Sequence, residues 1–197
     1  ILQQLNSIDQ LFELLVSSQE ELRPDIECLK FLFFEMRYKS DGIEVDSSNY
    51  CQLYQESCPE FDVHQQQDAD EYLRQLFDYL PREVIKLFEG RQTNIVINNS
   101  MRGEVETTKE SFLTIPLNLK ESSDLQSSLH SYLEQHPVED EGMIHSFIQT
   151  KFTKLPQILT FHLHRFEFST ITIIMNSSIG VGFRRIVSVL QLTIKSL

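Results

Sequence analysis

The chain has no CxxC pair and no even set of cysteines, only Cys28, Cys51 and Cys58. That argues against a disulfide framework. With no secretory signal, the three read as reduced thiols of an intracellular protein, in cytoplasm or nucleus. No run of about 18 uncharged apolar residues occurs, so no membrane span is expected. Positive charge is scarce: the formal net charge is −12 at pH 7. This argues against nucleic acid or an anionic membrane as a partner and favours a neutral or basic one. There is no internal repeat and no low-complexity tract. An initiator Met is also missing, and the opening ILQQL reads as the inside of a helix.

What is present suffices for a core. In 197 residues, 41% are hydrophobic and 14 are Phe, enough for one ordinary domain or one large domain cut short. The charge is uneven. Residues 169–197 hold Arg184, Arg185 and Lys195 and no acid, leaving a balance of −15 on residues 1–168.

Periodicity places helices first. Ile1, Leu5, Ile8, Phe12 and Leu15 form one stripe over residues 1–16. A second helix starts at Pro24 with Asp25 and Glu27 near its positive end, buries Ile26, Leu29, Phe33 and Met36, and ends at Ser40-Asp41-Gly42. A third carries Ala69, Tyr72, Leu73, Leu76, Phe77 and Leu80 on one face and stops at Pro81. Strands follow: 93–98 and 104–109 around a turn, then 112–119, whose Pro116 marks an edge or an end. Ser123 is expected to cap a short helix with Leu125, Leu129, Tyr132 and Leu133. Residues 147–154 and 157–168 are two further strands, the second apolar on both faces and so central. Helices before strands predict an α+β fold.

The third helix opens with acids and amides, His64-Gln65-Gln66-Gln67-Asp68-Ala69-Asp70-Glu71. Two readings stand side by side. First-turn acids stabilise a helix by roughly 0.3–1 kcal/mol each through its dipole. Alternatively Asp68 and Glu71, one turn apart, form a two-carboxylate clamp suited to an arginine fork. Periodicity does not separate them.

Five short boxes do. Gln66 to Leu73 (QQDADEYL) resembles the QQDAxEF-L box of the ubiquitin-specific proteases, papain-like cysteine proteases that remove ubiquitin. Leu155 to Phe166 (LPQILTFHLHRF) is similar to their LPxxLxxxLxRF box. Leu87-Phe88-Glu89-Gly90 resembles the LFxG that opens the family's fingers, Glu110 to Leu117 the strand that follows, and Ile1 to Leu5 the tail of the NTCYxNSxLQxL box. The resemblance covers residues 1–168. It implies a truncated papain-like fold: helical thumb (1–86), fingers (87–154) and the first palm strand (155–168). In the family the acid pair grips ubiquitin's arginine-bearing C-terminal tail. The resemblance thus implies ubiquitin binding by Gln67, Asp68, Ala69, Asp70 and Glu71, with Arg165 and Phe166 bordering the tail channel. Partners would be ubiquitin and ubiquitinated proteins.

The family's chemistry needs a Cys thiolate at a helix N-terminus, a His base and an oxyanion-stabilising Asn. By the match at Ile1 the nucleophile is expected before the chain starts, and the His, in a GHY motif, after Phe168. Residues 169–197 contain no His and match nothing in the family. They are expected to be a non-native tail, from a frameshift or intron read-through, which a GHY motif in another frame would support. Cys28 reads as a buried thiol, with Cys51 and Cys58 in the connection before the third helix. No cofactor or metal is expected: Asn98 and Met101 stand where many members have a zinc-binding CxxC, and residues 139–149 hold no Cys. His162 and His164 share a strand face and read as channel-side residues, and His130, His136 and His145 as surface residues. The expectation is a fragment of a deubiquitinase, inactive as given. The rivals are a non-catalytic ubiquitin-binding or scaffold protein and a truncated product that neither folds nor binds.

Overall fold

The computed structural model describes residues 1–39, 44–65, 67–98, 104–118, 124–137, 146–164 and 187–190. The chain divides into two compact units, residues 1–87 and 88–197. Helices fill the first and sheets dominate the second, as an α+β order requires.

The opening stripe does not make one helix. It makes α1 (Leu2–Asn6) and α2 (Asp9–Ser17), because Ile8 takes an extended conformation between them. The stripe still packs: Leu5, Ile8, Phe12 and Leu15 are buried. Polar groups at the break are taken up by Arg37 of α3 (Pro24–Tyr38), with Asn6 buried and Asp9 exposed. Its guanidinium donates to Asn6 Oδ1 at 3.2 Å, to the Asn6 carbonyl, and to Asp9 Oδ1 at 2.8 Å. Pro24 and the acids Asp25 and Glu27 start α3 as expected, and Ile26, Leu29 and Phe33 are buried, with Met36 only partly so. The expected stop at Ser40-Asp41-Gly42 lies outside the described residues.

Two helices were not legible in the pattern. α4 (Ser48–Ser57) begins where Asp46 Oδ1 accepts from the Ser48 N–H and hydroxyl at 2.9 and 2.6 Å, and it buries Tyr50 and Tyr54. α5 (Ala69–Tyr79) is the predicted amphipathic helix, with Leu73, Leu76 and Phe77 buried. Pro81 stops it and at once starts α6 (Arg82–Phe88): its carbonyl accepts from Val84 and Ile85, a helix-opening use of proline.

In the second unit, β1 (Gly90–Asn98) pairs antiparallel with β2 (Glu104–Phe112) and with β5 (Ser146–Lys154), and β4 (His136–Pro137) pairs with β5. The order is β2-β1-β5-β4. The expected strand 112–119 is divided. Phe112 ends β2 in this sheet, and β3 (Ile115–Asn118) lies at the edge of another, β3-β6-β7, with β6 (Leu159–His164) central and β7 (Val187–Leu190) beyond it. The central place of β6 and the edge place of Pro116 follow the sequence reading. Ile115, Leu117, Leu159 and Phe161 form the buried cluster, with Phe112, Phe152 and Tyr132 packed against it. α7 (Leu125–Leu133) is capped by Asp124, not Ser123. The Asp124 carboxylate accepts from the Ser127 N–H at 2.7 Å, and Ser127 Oγ lies 3.3 Å from the Asp124 N–H, closing a capping box.

Candidate functional site

The first turn of α5 is prepared by the loop before it. Asp62 accepts from the His64 N–H at 2.9 Å and from Gln65 Nε2 at 2.8 Å, and its own carbonyl accepts from Gln67 Nε2 at 2.7 Å. Gln67 therefore braces the turn. Gln66 lies outside the described residues.

The three acids that follow have three different environments. Asp68 is the N-cap: Oδ1 accepts from the Asp70 N–H at 2.9 Å, answering one of the amides a helix leaves open. Asp70 is buried and meets Arg74 one turn on, Oδ2 to Nη2 2.9 Å. Glu71 is exposed. So the helix-stabilising reading holds for Asp68, whose carboxylate is half-buried and capping, while Glu71 is exposed. Two turns beyond Asp68, Gln75 Oε1 accepts from Tyr54 Oη at 2.8 Å.

Beside this turn lies an open cavity of about 550 Å³, lined by Tyr50, Cys51, Tyr54, Phe61, Gln67 and Tyr72 among others. Tyr72 stands where the resembling box has Phe, and its hydroxyl lies 2.6 Å from that of Tyr50. Burial pushes the phenols of Tyr50, Tyr54 and Tyr72 above their ordinary value, so all three stay protonated at neutral pH. The sequence reading had Tyr72 on the inner face of its helix but missed Tyr50 and Tyr54. The available signal was Tyr50 and Tyr54 one turn apart in an otherwise polar stretch.

The three thiols have three different environments. Cys28, expected to be buried, is half-buried and accepts from Asn49 Nδ2 at 3.3 Å; burial pushes its pKa up, the reverse of what a nucleophile needs. Cys58 is the buried thiol and accepts from Arg23 Nη2 at 3.6 Å. Cys51 lies within α4, where the sequence reading placed a connection, and lines the cavity.

Arg165 and Phe166 lie outside the described residues, as does His145. His162 is half-buried on β6, and His130 and His136 are exposed. Among the described residues no group of three or more His, Cys, Asp or Glu is placed to hold a metal ion. Nor is any described helix long and apolar enough to cross a membrane.

A family model described as ubiquitin carboxyl-terminal hydrolase matches residues 1–189. The match passes Phe168 and enters the segment expected to be an unmatched tail, the segment that contains β7. Among curated proteins, Ubiquitin carboxyl-terminal hydrolase puf of Drosophila melanogaster is 25% identical over 157 residues, 72% of this chain and 4% of that protein. Ubiquitin carboxyl-terminal hydrolase 7 of Drosophila melanogaster is 26% identical over 128 residues, 56% of this chain and 11% of that protein. The chain thus spans a small fraction of the curated relatives it matches. A solved SAGA DUB module of Ubp8, Sgf11, Sus1 and Sgf73 bound to monoubiquitin is similar at a TM-score of 0.52 and 21% identity, over 61% of this chain and 32% of that one. A second structure of the Ubp8, Sgf11, Sus1 and Sgf73 DUB module gives 0.63 and 19%, over 84% and 44%. The fold is that of the papain-like ubiquitin-specific proteases.

Proposed function

The chain belongs to the ubiquitin carboxyl-terminal hydrolase family, and from that premise we propose that it is part of an intracellular cysteine-type deubiquitinase, cytoplasmic or nuclear. The parent protein hydrolyses the isopeptide or peptide bond after ubiquitin's C-terminal glycine. This segment contributes to holding the ubiquitin tail. The observation that carries the reading is the first turn of α5, where the exposed Glu71 and the half-buried Asp68 place two carboxylates one turn apart at the positive end of a helix. An arginine-bearing tail is the complement of such a pair. Arg165 and Phe166 are assigned to the same tail on the resemblance of their box.

Cys28, Cys51 and Cys58 are not the nucleophile in this reading, which assigns that thiolate to a Cys box outside the chain. Titration with ubiquitin tests the first part: binding that weakens when Asp68 and Glu71 lose their charge supports it, and charge-independent binding refutes it. A ubiquitin probe with a cysteine-reactive terminus tests the second, with no covalent labelling of this chain expected. Labelling of any of the three thiols overturns it. The environments of those thiols equally favour a second reading, a non-catalytic ubiquitin-binding or scaffold protein. Labelling of the full-length protein by the same probe separates the two.

A further inference from the structure

The bulk charge of −12 points to basic partners, yet one sheet face has the opposite sign. In the β1–β2–β5 register, Arg91 is opposite Ser111 on one side and Lys154 on the other, and Thr93 is opposite Lys109 and Lys151. Directly opposed residues of antiparallel strands project to the same face. The register therefore gathers Arg91, Lys109, Lys151 and Lys154 around one short length of β1. All four are exposed. Among the described residues none of them has an ion-pair partner, whereas Lys30, Arg37, Lys39, Arg74 and Lys86 of the helical unit each pair with an acid.

Like charges set opposite each other in a sheet cost stability. Arg91 and Lys154 meet at the one irregularity of the β1–β5 register, between Arg91 and Gln92. There an open cavity of about 500 Å³ is lined by Arg91, Lys109 and Lys154 with Ser111 and Thr153. Its one acid, Glu110, is engaged: Oε1 accepts from Gln92 Nε2 at 2.7 Å and from the Asn94 side chain. Among the described residues the cavity lining is left with three cations to one carboxylate and no ion pair between them.

We propose that this face, centred on Arg91, Lys109 and Lys154 and extended by Lys151, docks an acidic peptide segment of a partner protein. Charge complementarity selects the occupant. Carboxylates on an extended chain balance the excess of cations, and the Ser111 hydroxyl adds a donor and an acceptor, while that of Thr153 already donates to the Arg91 carbonyl at 3.2 Å. A nucleic acid would carry a denser negative charge toward a protein that is strongly acidic elsewhere, which disfavours it. The surface goes beyond the ubiquitin reading, because an arginine-bearing tail is repelled by it.

The test titrates the full chain with a fluorescein-labelled peptide of alternating Glu and Gly, read by anisotropy at low salt. Binding is expected, falling as ionic strength rises. Lys109→Glu with Lys154→Glu should weaken it on the order of tenfold or more, while Lys86→Gln leaves it unchanged. Arg91→Gln serves as a milder variant, and thermal melts confirm that each variant is folded. No peptide binding at low salt overturns the proposal. So do equal affinities for the variant and the parent, or tighter binding of a single-stranded oligonucleotide at the same salt. Ubiquitin titrated in parallel should bind the Lys109→Glu, Lys154→Glu variant as it binds the parent; displacement of the peptide by ubiquitin would assign the face to ubiquitin and sink the separate site. A failed ubiquitin titration leaves the peptide result standing, so the two readings fail independently.

Discussion

Arg23 and Asp25 form a two-pronged ion pair around a carboxylate with no solvent exposure, Nε to Oδ1 at 2.9 Å and Nη2 to Oδ2 at 2.6 Å. The same guanidinium lies 3.4 Å from the centroid of the Tyr79 ring and donates to Cys58. One side chain thus ties the start of α3 to the ends of α4 and α5. The bond to Asp25 raises the Arg23 pKa further above its already high value. Removing the cation leaves a buried carboxylate with only the Ser57 hydroxyl, at 3.5 Å, beside it; losing the partner of a fully buried pair costs about 3–5 kcal/mol, and the partial exposure of Arg23 puts this site toward the low end. Arg23→Ala is expected to lower the chemical-denaturation midpoint accordingly, with Arg23→Lys recovering only part because an ammonium cannot reproduce the fork. A midpoint unchanged by Arg23→Ala would show that the pair is not structural.

Asp68 allows charge and capping to be separated. Asp68→Ala removes the cap and should cost about 1 kcal/mol. Asp68→Asn keeps a capping oxygen and removes the charge, so its melt should stay near the parent's. If the carboxylate also meets ubiquitin's arginines, Asp68→Asn and Glu71→Gln each weaken ubiquitin binding in a calorimetric titration, with the melt little changed. Parent-like binding by both variants would leave these acids with the helix alone.

Gly90 is confined by Phe112. A Cβ there would run into Phe112 Cζ and lie 2.6 Å from Cε1, and the ring also packs against Phe152 at 5.3 Å between centroids. Gly90→Ala should therefore destabilise by roughly 1–3 kcal/mol through overpacking. Combining it with Phe112→Leu, which withdraws the ring, should cost less than the sum of the two single changes. Simple additivity in urea unfolding would contradict the contact.

The tyrosine cluster predicts a one-sided pH profile. Burial raises the phenols of Tyr50, Tyr54 and Tyr72 above the ordinary value of 10.0, so the folded state holds these protons more tightly than the unfolded chain. The stability this contributes is complete below the unfolded value and is lost as pH rises toward the folded ones. Calorimetric melting temperatures should thus fall above about pH 10. The fall should be shallower for Tyr72→Phe, which has one fewer group to titrate. Equal slopes for variant and parent would remove the phenols from the explanation.

The parts legible in the sequence were those with one strong period. α5 and α3 are long enough for the apolar stripe to fix both existence and face. The α1–α2 break was invisible because Ile1, Leu5, Ile8, Phe12 and Leu15 keep their spacing across it, and the group that stabilises the break, Arg37, comes from another helix. α4 and α6 are short, and Pro81 reads equally as a stop or a start. Phe112 to Leu119 reads as one apolar, β-prone run although the chain changes sheets within it. At the candidate site the box located α5 and its acids, but the different environments of Asp68, Asp70 and Glu71 depend on side-chain bonds that no spacing records.

Arg37 also bears on the order in which the helical unit forms. Its bonds to Asn6 and Asp9 close loops of 31 and 28 residues, and loop closure precedes any gain from the contact. The five-residue α1 is far too short to persist alone. The α1–α2 segment is thus among the last parts of the helical unit to find its direction, waiting for the final turn of α3 to be in place.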